Sequence, residues 1–467
     1  MPDDRGTKES EAALVPRETR DFKRKAITGM ARHLPVKGQA GWLLRKLVGN
    51  YWALAVAAVI LGVPFALGVL ALDRAGLAGW LVASDLAPVA TSETARDFAG
   101  VAAGVNAAFI SLYFSITLIV LSLAASNLGV RLIDRWLDKR LVRVSIAGLS
   151  FSLAVTLCAM LAIDPKADLA QTPLGLTAVV LMLQLVNLAM LAVSLHDLGR
   201  SMFVDRAIAA LCRDAANPPA TISVRLEGPS HNWVTVLVAP RDGYVEGIDC
   251  DAVAKAAPTA TAIRICAAPG RHVARGEPLI EVAEGVGSAP VDLRKLARAV
   301  PIGDYRSDGQ GTVFRVRLLV EIAARALSPA INDFYTALAC ADALMVVMRE
   351  HRHTWVGENQ LACWAHDPRV ELPGQDFASL FGDPLAAFRQ AAADYPSVSI
   401  RMIDNVARLI AATEAPDALH SQWHGWLADQ VRAIAGHALS RAQHEADRRA
   451  IAARLDRFDR LSGDIRP

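Results

Sequence analysis

The sequence predicts a protein in two parts: an α-helical integral membrane domain with four transmembrane helices, followed by an α+β domain in the cytosol. Three observations lead to this fold class. Hydrophobic residues make up 53% of the 467 residues, and the mean hydropathy is +0.29, which is typical of membrane proteins. Long apolar segments occupy the first part of the chain. After them the pattern changes to short strand-like runs and then to helical periodicity.

Four apolar segments are each long enough to cross a bilayer, which takes about 20 apolar residues. The first is Tyr51–Leu72, the second lies within residues 98–130, the third is 144–163, and the fourth lies within 169–195. None has Lys, Arg, Asp or Glu at its centre, which argues against a proton-coupled carrier. These segments predict a transmembrane domain over residues 51–198.

Basic residues set the predicted orientation, because Lys and Arg are retained on the cytoplasmic side of a membrane. The segment 1–50 carries 11 of them, whereas the two outer connections carry only Arg74 and Arg96, and Lys166. The connection between the second and third spans carries Arg131, Arg135, Lys139, Arg140 and Arg143. Both termini are therefore predicted to be cytoplasmic, with residues 1–50 as a basic cytoplasmic N-terminal segment.

The same connection suggests a lipid contact. Arg131, Arg135, Lys139 and Arg143 would form one basic face of a helix that continues from the second span. Such a face attracts anionic lipid headgroups by about 1 kcal/mol per residue. The alternative is that these residues serve only as orientation signals.

Residues 199–290 are predicted to form a β module with a linker helix. The runs "TISVRL", "VTVLVAP" and "PLIEV" are strand-like, and Gly-Pro, Arg-Asp-Gly and Pro-Gly turns separate such runs. "APRDGYVEGID" and "APGRHVARGEPLIEV" resemble the half-motif of barrel-sandwich folds related to lipoyl and biotinyl carriers. The Asp-Lys or Met-Lys hairpin that would accept the prosthetic group is absent. The resemblance therefore implies a small barrel-sandwich-like module in a structural or docking role, with no cofactor.

Residues 291–467 are predicted to form a helical region that a polar corner interrupts. In "RALSPAINDFYTALACAD", Ser-Pro and Asn-Asp stand among small apolar residues. Ser328 is predicted to cap a new helix, with Pro329 at its first helical position. Asn332 and Asp333 then fall in the first turn, where a carboxylate faces the positive end of the helix dipole and bonds free N–H groups.

Two interpretations of this corner remain open. It is either a buried capping device that fixes the crossing of two helices, or a polar site at a subunit contact or ligand pocket. The second interpretation rests on Arg325, Asn332, Asp333 and Asp342. The complete set of candidate residues is Arg325, Ser328, Pro329, Asn332, Asp333, Thr336 and Asp342.

The longer run "RLLVEIAARALSPAINDFYTALACADAL" resembles the signature of an uncharacterised bacterial family of predicted inner-membrane proteins, a domain of unknown function numbered 2254. The resemblance extends from the first span through about Leu344. Phe334 stands where the family usually has Pro, and Glu321 where it often has Asp. The resemblance implies a multi-pass protein of the bacterial inner membrane, with four spans and a β module ahead of the motif. It implies no settled activity.

Small and hydroxylic residues recur along one face of the second span. Gly104, Ala108, Ser111, Ser115 and Ser122 follow one another at steps of three, four and seven residues. In the fourth span, Gln184 and Asn187 are amides that are costly against lipid and are expected to face protein or water. Close helix packing is one interpretation. A polar pathway is the other, with Ser111, Ser115, Ser122, Gln184 and Asn187 as pore-lining candidates.

Other chemistry has less support. His351 with His353, and His420 with His424, are spaced like metal ligands, but no third ligand accompanies either pair, so no metal is predicted.

The C-terminal pattern from 422 to 461 carries an apolar stripe that predicts packing onto its own domain or self-association. No phosphate-binding loop, dinucleotide fingerprint or hydrolase elbow occurs, so the sequence names no catalytic residue, and a membrane enzyme is a third alternative behind the two classes of function below.

Two classes of function follow. The first is an oligomeric channel or transport-related assembly whose cytosolic domain gates or supports the membrane part. The second is a membrane-anchored sensor or scaffold that conducts nothing. The predicted partners are the lipid bilayer, including anionic lipids, and further copies of the chain. No nucleic acid is predicted as a partner, and a net charge of only +2 gives no reason to expect one.

Overall fold

The computed structural model describes residues 51–128, 140–201, 204–217, 222–228, 231–283, 291–412 and 418–463. The predicted N-terminal segment 1–50 lies outside this part of the chain. The described residues fall into two compact units. The first unit comprises the described residues within Met1–Ile110 and Asp138–Leu188. The second comprises those within Ser111–Leu137 and Ala189–Pro467.

Helices dominate the first part of the chain because its residues are apolar and seldom charged. Helix α1 (Tyr51–Leu72) continues through a π-helical turn at Asp73–Leu77 into α2 (Ala78–Ala83). Gly76 in that turn has a φ of 117°, a conformation that favours glycine. The helices that follow are α3 (Ser92–Leu128), α4 (Arg140–Ala162) and α5 (Leu174–Ser201), with a 3₁₀ turn at Leu169–Gln171 before α5.

Four helices among the described residues are long and apolar enough to cross a membrane. They cover Ala53–Ala83, Ser92–Leu123, Leu141–Ala162 and Leu174–Gly199. The prediction of four spans is confirmed at the level of length and composition. The first candidate span is longer than predicted, because the helix continues past Asp73 and Arg74 into a second apolar run.

Small residues bring the helices of the first unit close together. A Cβ atom on Gly62 of α1 would lie 3.0 Å from the Cβ of Ala154 in α4, so a larger side chain would push these helices apart. Four helices share one buried apolar cluster, made of Ala66, Ala102, Val155, Ala159, Leu176 and Val180.

Besides the C-terminal parts of α3 and α5, the described residues of the second unit form nine short strands and the remaining helices. The helices are α6 (Val204–Ala216), α7 (Cys250–Ala256), α8 (Leu293–Ala299), α9 (Thr312–Ala326), α10 (Phe334–His351), α11 (Phe377–Ala392), α12 (Pro396–Ala411), α13 (Ala418–Arg441) and α14 (Glu445–Gly463), with 3₁₀ turns at Asp308–Gln310 and Arg352–Thr354. The strands are β1 (Ile222–Leu226), β2 (Trp233–Val238), β3 (Gly243–Val245), β4 (Ile263–Ile265), β5 (His272–Val273), β6 (Pro278–Ala283), β7 (Ile302–Gly303), β8 (Gln360–Trp364) and β9 (Asp367–Glu371).

These strands form two sheets. The larger has the order β1-β8-β9-β4-β6-β2, and the smaller has the order β5-β3-β7. All pairs are antiparallel except β4 with β9, where Ile263 pairs with Val370. No barrel-sandwich is seen among the described strands. Short repeated runs before residue 290 suggested a self-contained module, but β7, β8 and β9 come from after that point and pair with the earlier strands.

The helices of the second unit bury the larger of its two apolar cores. Phe377, Phe381 and Phe388 of α11 are fully buried there. The stripe on the C-terminal helix α13 joins the same core through Trp423, Leu427, Val431, Ile434 and Ala438. Packing onto its own domain therefore accounts for this stripe. The second core lies under the sheets and includes Val245, Ile263 and Val370.

Candidate functional site

The polar corner lies between α9 and α10 and is built around Asp333. Its carboxylate accepts two hydrogen bonds from Thr336, one from the backbone N–H at 3.1 Å and one from the side-chain hydroxyl at 2.6 Å. The backbone N–H of Asp333 donates to the carbonyl oxygen of Ala326, the last residue of α9, at 2.8 Å. Asp333 is therefore the N-cap of α10 and also ties the new helix to the end of the previous one.

The residues before Asp333 form a turn and not the start of a helix. Ser328 accepts, through its carbonyl oxygen, the N–H groups of Ile331 and Asn332, and Asn332 has a φ of 49°. The prediction that Ser328 caps the helix and that Pro329 occupies its first position is wrong. The left-handed Asn332 reverses the chain, so the helix begins only after Asp333.

A tyrosine from a later helix secures this turn. The hydroxyl of Tyr395 donates 2.9 Å to the carbonyl oxygen of Leu327 and lies 3.2 Å from Oδ1 of Asn332. Tyr395 is also the N-cap residue of α12. The local sequence of the corner gives no signal for this contact, because Tyr395 lies more than 60 residues downstream.

Asp342 and Arg325 belong to separate networks. Asp342 accepts hydrogen bonds from Arg401 at 3.0 Å and from Asn405 at 2.9 Å, both on α12. Arg325 lies 3.8 Å from the carboxylate of Glu321 on its own helix. Among the described residues, Arg325, Asp333 and Asp342 bond different partners and do not form one site. The corner therefore has the geometry of an N-cap for α10 that also holds the start of α10 to the end of α9.

The helix that follows the corner contains an unreactive cysteine. Cys340 of α10 is fully buried. Burial raises the pKa of its thiol, and the negative charges of Asp333 and Asp205 raise it further. Because the thiolate is the reactive form, Cys340 stays protonated and acts as a packing residue.

The first unit contains a second polar group, in the interior of its helix bundle. Asn106 of α3 is fully buried. Its side-chain amide donates to the hydroxyls of Ser152 at 3.4 Å and Thr156 at 3.3 Å, both on α4. Its carbonyl oxygen accepts from Asn187 of α5 at 2.9 Å. These four side chains, the Asn106 cluster, join three helices.

Only one member of this group, Asn187, is among the candidates predicted from the sequence. Asn187 was a pore-lining candidate, and it lies in the Asn106 cluster, 1% exposed. Gln184 lies one turn earlier, with its amide nitrogen 3.4 Å from the carbonyl oxygen of Ala102. Asn106 was missed although it is an amide within a charge-free span, the same signal that singled out Gln184 and Asn187.

The serine candidates lie on a different face of α3. Ser111, Ser115 and Ser122 are exposed in the single chain. The hydroxyl of Ser115 donates to the carbonyl oxygen of Ser111 at 2.9 Å, one helical turn away. This bond satisfies the hydroxyl within the helix itself.

The basic candidates are only partly described. Arg131, Arg135 and Lys139 lie outside the described residues, whereas Arg143 lies in the first turn of α4. Their lipid contact stays a prediction. No group of three or more His, Cys, Asp or Glu side chains suited to a metal occurs in the described ranges.

Comparison with known proteins gives a family but no activity. The family described as "Predicted membrane protein (DUF2254)" matches residues 49–408. An uncharacterized protein of Mycobacterium tuberculosis and one of Mycobacterium bovis are each 30% identical over 274 residues, which is 54% of this chain. The chain spans about half the length, 52%, of these relatives. No solved structure matches the chain.

Proposed function

This chain belongs to the DUF2254 family of predicted membrane proteins, and from that premise we propose that it forms an oligomeric channel or transport-related assembly in the bacterial inner membrane. The part of the chain after α5 would lie in the cytosol and support or gate the membrane helices. Its predicted orientation follows from the Lys and Arg residues of the connections.

The observation that carries this proposal is the face of α3 that the chain leaves exposed. Asn106, Tyr113 and Thr117 are buried on one side of α3. The opposite side bears Gly104 and Ala108 and then the three serines, Ser111, Ser115 and Ser122, all of them exposed. At about 100° per residue, these five positions fall within roughly 60° of one another. This continuous stripe of small residues is therefore available for contact with another molecule.

Such a stripe suits contact with further copies of the same helix. Small side chains allow helix backbones to approach closely in a membrane, and hydroxyls hydrogen-bond across the contact. If several copies surround an axis, the serines would instead line it, and their hydroxyls would keep a narrow path wet. Asn187 lies in the Asn106 cluster, so it supports the bundle around the path in this arrangement.

Flux measurement in proteoliposomes tests the proposal. The native protein should pass small ions above the level of empty vesicles. The double variant Ser111→Leu/Ser115→Leu should reduce that flux at unchanged oligomer size, because apolar side chains favour dewetting of a constriction. The matched control is Ala189→Leu/Ala192→Leu, which adds the same bulk at two exposed positions of α5 and should conduct like the native protein.

The outcomes separate the remaining alternatives. A smaller oligomer in the serine variant alone would mean that the stripe packs helices together. No flux from the native protein, for small cations or anions under voltage and osmotic stress, would contradict the channel proposal. The membrane-anchored sensor or scaffold would then be the better account.

A further inference from the structure

The N-terminus of α9 in the second unit is an uncapped helix start. This helix has 15 residues, and its N-cap is Gly311, with a φ of 66° and no side chain to accept a hydrogen bond. The first backbone bond into the helix runs from Arg315 N–H to the carbonyl oxygen of Gly311. The N–H groups of Thr312, Val313 and Phe314 therefore have no partner within the helix, and the helix dipole places partial positive charge there.

Two buried polar side chains beside this helix start lack partners. Gln310 and Thr312 are each 4% exposed. Within the part of the chain that the structure describes, the amide nitrogen of Gln310 and the hydroxyl of Thr312 have no hydrogen-bond partner. Buried donors of this kind are normally satisfied, so their position flanking Gly311 indicates a missing partner that accepts hydrogen bonds.

Arg317 ends beside Gln310, and Arg306 interacts electrostatically with Arg317. A Cβ atom on Gly270 would lie 3.3 Å from the Gln310 side-chain oxygen and 3.4 Å from Nη1 of Arg317, so these two side chains end close together. Arg317 donates to the carbonyl oxygen of Gly270 at 3.2 Å. Arg306 lies over the ring of Tyr244, with its guanidinium carbon 5.3 Å from the ring centroid. Burial lowers the pKa of Arg317, and the like charge of Arg306 lowers it further.

Three acids among the described residues lie near this positive charge or act on it: Asp308, Glu246 and Asp383. Asp308 forms an ion pair with Arg315 at 3.1 Å. Glu246 accepts a hydrogen bond from Ser307 at 2.6 Å, and burial raises the pKa of its carboxyl group. Asp383 is the acid that favours the charged form of Arg317. Within the described ranges, Arg306 forms no ion pair with any of these three acids.

We propose that the start of α9, with Gln310, Thr312, Arg306 and Arg317, binds a phosphate group. Amide, hydroxyl and guanidinium N–H and O–H groups are donors, and a phosphate offers several acceptor oxygens and negative charge at once. Two sources share this chemistry: a soluble phosphate compound and a phospholipid headgroup. The inference is independent of conduction, because it concerns only residues that follow α5 in the chain.

Equilibrium binding of radiolabelled inorganic phosphate tests the site, using the full chain in nanodiscs of phosphatidylcholine. Saturable binding is expected. Arg317→Gln should weaken it by about tenfold or more, as loss of a charge-assisted hydrogen bond does. Thr312→Val keeps the shape of the side chain and should weaken binding by a few fold without lowering the melting temperature. The matched control Arg298→Gln, at an exposed position on α8, should bind like the native protein.

A second arm distinguishes the two sources. In nanodiscs that contain phosphatidylglycerol, a headgroup site would show weakened phosphate binding, and Arg317→Gln would abolish that competition. A site for soluble phosphate compounds would bind equally well in both discs. Absence of saturable phosphate binding in phosphatidylcholine nanodiscs would overturn the inference. Equal affinity of the native protein, Thr312→Val and Arg317→Gln would also overturn it, because phosphate would then bind elsewhere.

Discussion

The carboxylate of Asp73 accepts the backbone N–H of Gly175 at 2.8 Å. It also accepts that of Leu176 at 2.9 Å, so one acidic side chain closes the N-terminus of α5 from a residue about a hundred positions earlier. Asp73 is only 6% exposed. A buried carboxylate is stable there because two N–H groups and the positive end of the helix dipole compensate its charge. The contact fixes the end of α1 against the start of α5.

The space at Gly175 gives a first prediction. A Cβ atom on this residue would lie 2.5 Å from Oδ1 of Asp73, too close for either group to remain in place. Gly175→Ala should therefore lower the melting temperature of the detergent-purified protein. Gly199→Ala in the same helix is the matched control, since no atom lies within 4 Å of its added Cβ. That change should be neutral or stabilise by about 0.5–1 kcal/mol. Equal effects of the two substitutions would contradict the Asp73 contact.

The Asn106 cluster gives a second prediction. Asn106→Leu and Asn187→Leu should each destabilise the helix bundle, because each leaves its hydrogen-bond partner unpaired among apolar helices. A double-mutant cycle should give a coupling of about 0.6–1.7 kcal/mol, the range of side-chain hydrogen bonds within membranes. Unfolding in mixed micelles measures it. Zero coupling, together with altered ion flux in Asn187→Leu alone, would favour a pore-lining role for Asn187.

The cap at Asp333 gives a third prediction. Asp333→Ala should cost about 1 kcal/mol, and up to about 3 kcal/mol if the Thr336 donors stay unpaired. Asp333→Asn should be milder because its amide oxygen still accepts the Thr336 N–H. Tyr395→Phe tests the neighbouring contact by removing only the hydroxyl that meets Leu327 and Asn332. If both Asp333 variants keep native stability and assembly but abolish a cellular phenotype, a ligand site replaces the cap.

The local features of this protein could be predicted from its sequence, and the long-range ones could not. Apolar length alone predicts the spans, and residue type predicts that the Asp333 carboxylate bonds free N–H groups near a helix start, although the pattern puts that start too early, at Ser328. The pairing of Ile263 with Val370 joins segments about a hundred residues apart. β4 has three residues and β9 has five. The side-chain pattern of such short strands specifies neither the partner strand nor the pairing register. The contacts of Tyr395 and Asp73 were missed for the same reason, because each side chain forms hydrogen bonds with backbone groups that are distant in the sequence.

The exposed position Thr94, near the start of α3, gives a fourth prediction, for topology. In a background without the six native cysteines, Thr94→Cys should react with an impermeant thiol reagent added from the periplasm, because basic residues keep the other side in the cytoplasm. Ser92, two residues earlier, is buried and hydrogen-bonded to the carbonyl oxygen of Ala167 at 2.6 Å, so it is a poor labelling site. Arg294→Cys, exposed on α8, should react only after permeabilisation. The reverse labelling pattern would overturn the orientation with both termini in the cytoplasm.

Buried His351 gives the last prediction, for stability against pH. Its Nε2 lies 2.7 Å from the carbonyl oxygen of Ala215, so this nitrogen carries the hydrogen and joins α10 to α6. Burial is the largest cause that lowers the pKa of His351 from 6.5, and the neighbouring His353 also lowers it. The folded state therefore prefers the neutral ring. As the pH falls below about 6.5, the unfolded chain takes up a proton first, and stability declines until the folded pKa is passed.

Thermal melts between pH 7.5 and 5, values chosen to bracket roughly the ordinary histidine pKa, measure this decline. His351→Gln should flatten the decline, because the amide retains a donor and does not titrate. His353→Gln, at an exposed position, removes only a smaller contribution to the pKa of His351, so it should flatten the decline less than His351→Gln does. An unchanged slope in His351→Gln would mean that other groups govern the acid sensitivity. A slope of opposite sign in the native protein would mean that the folded state binds the proton more tightly than the unfolded chain does.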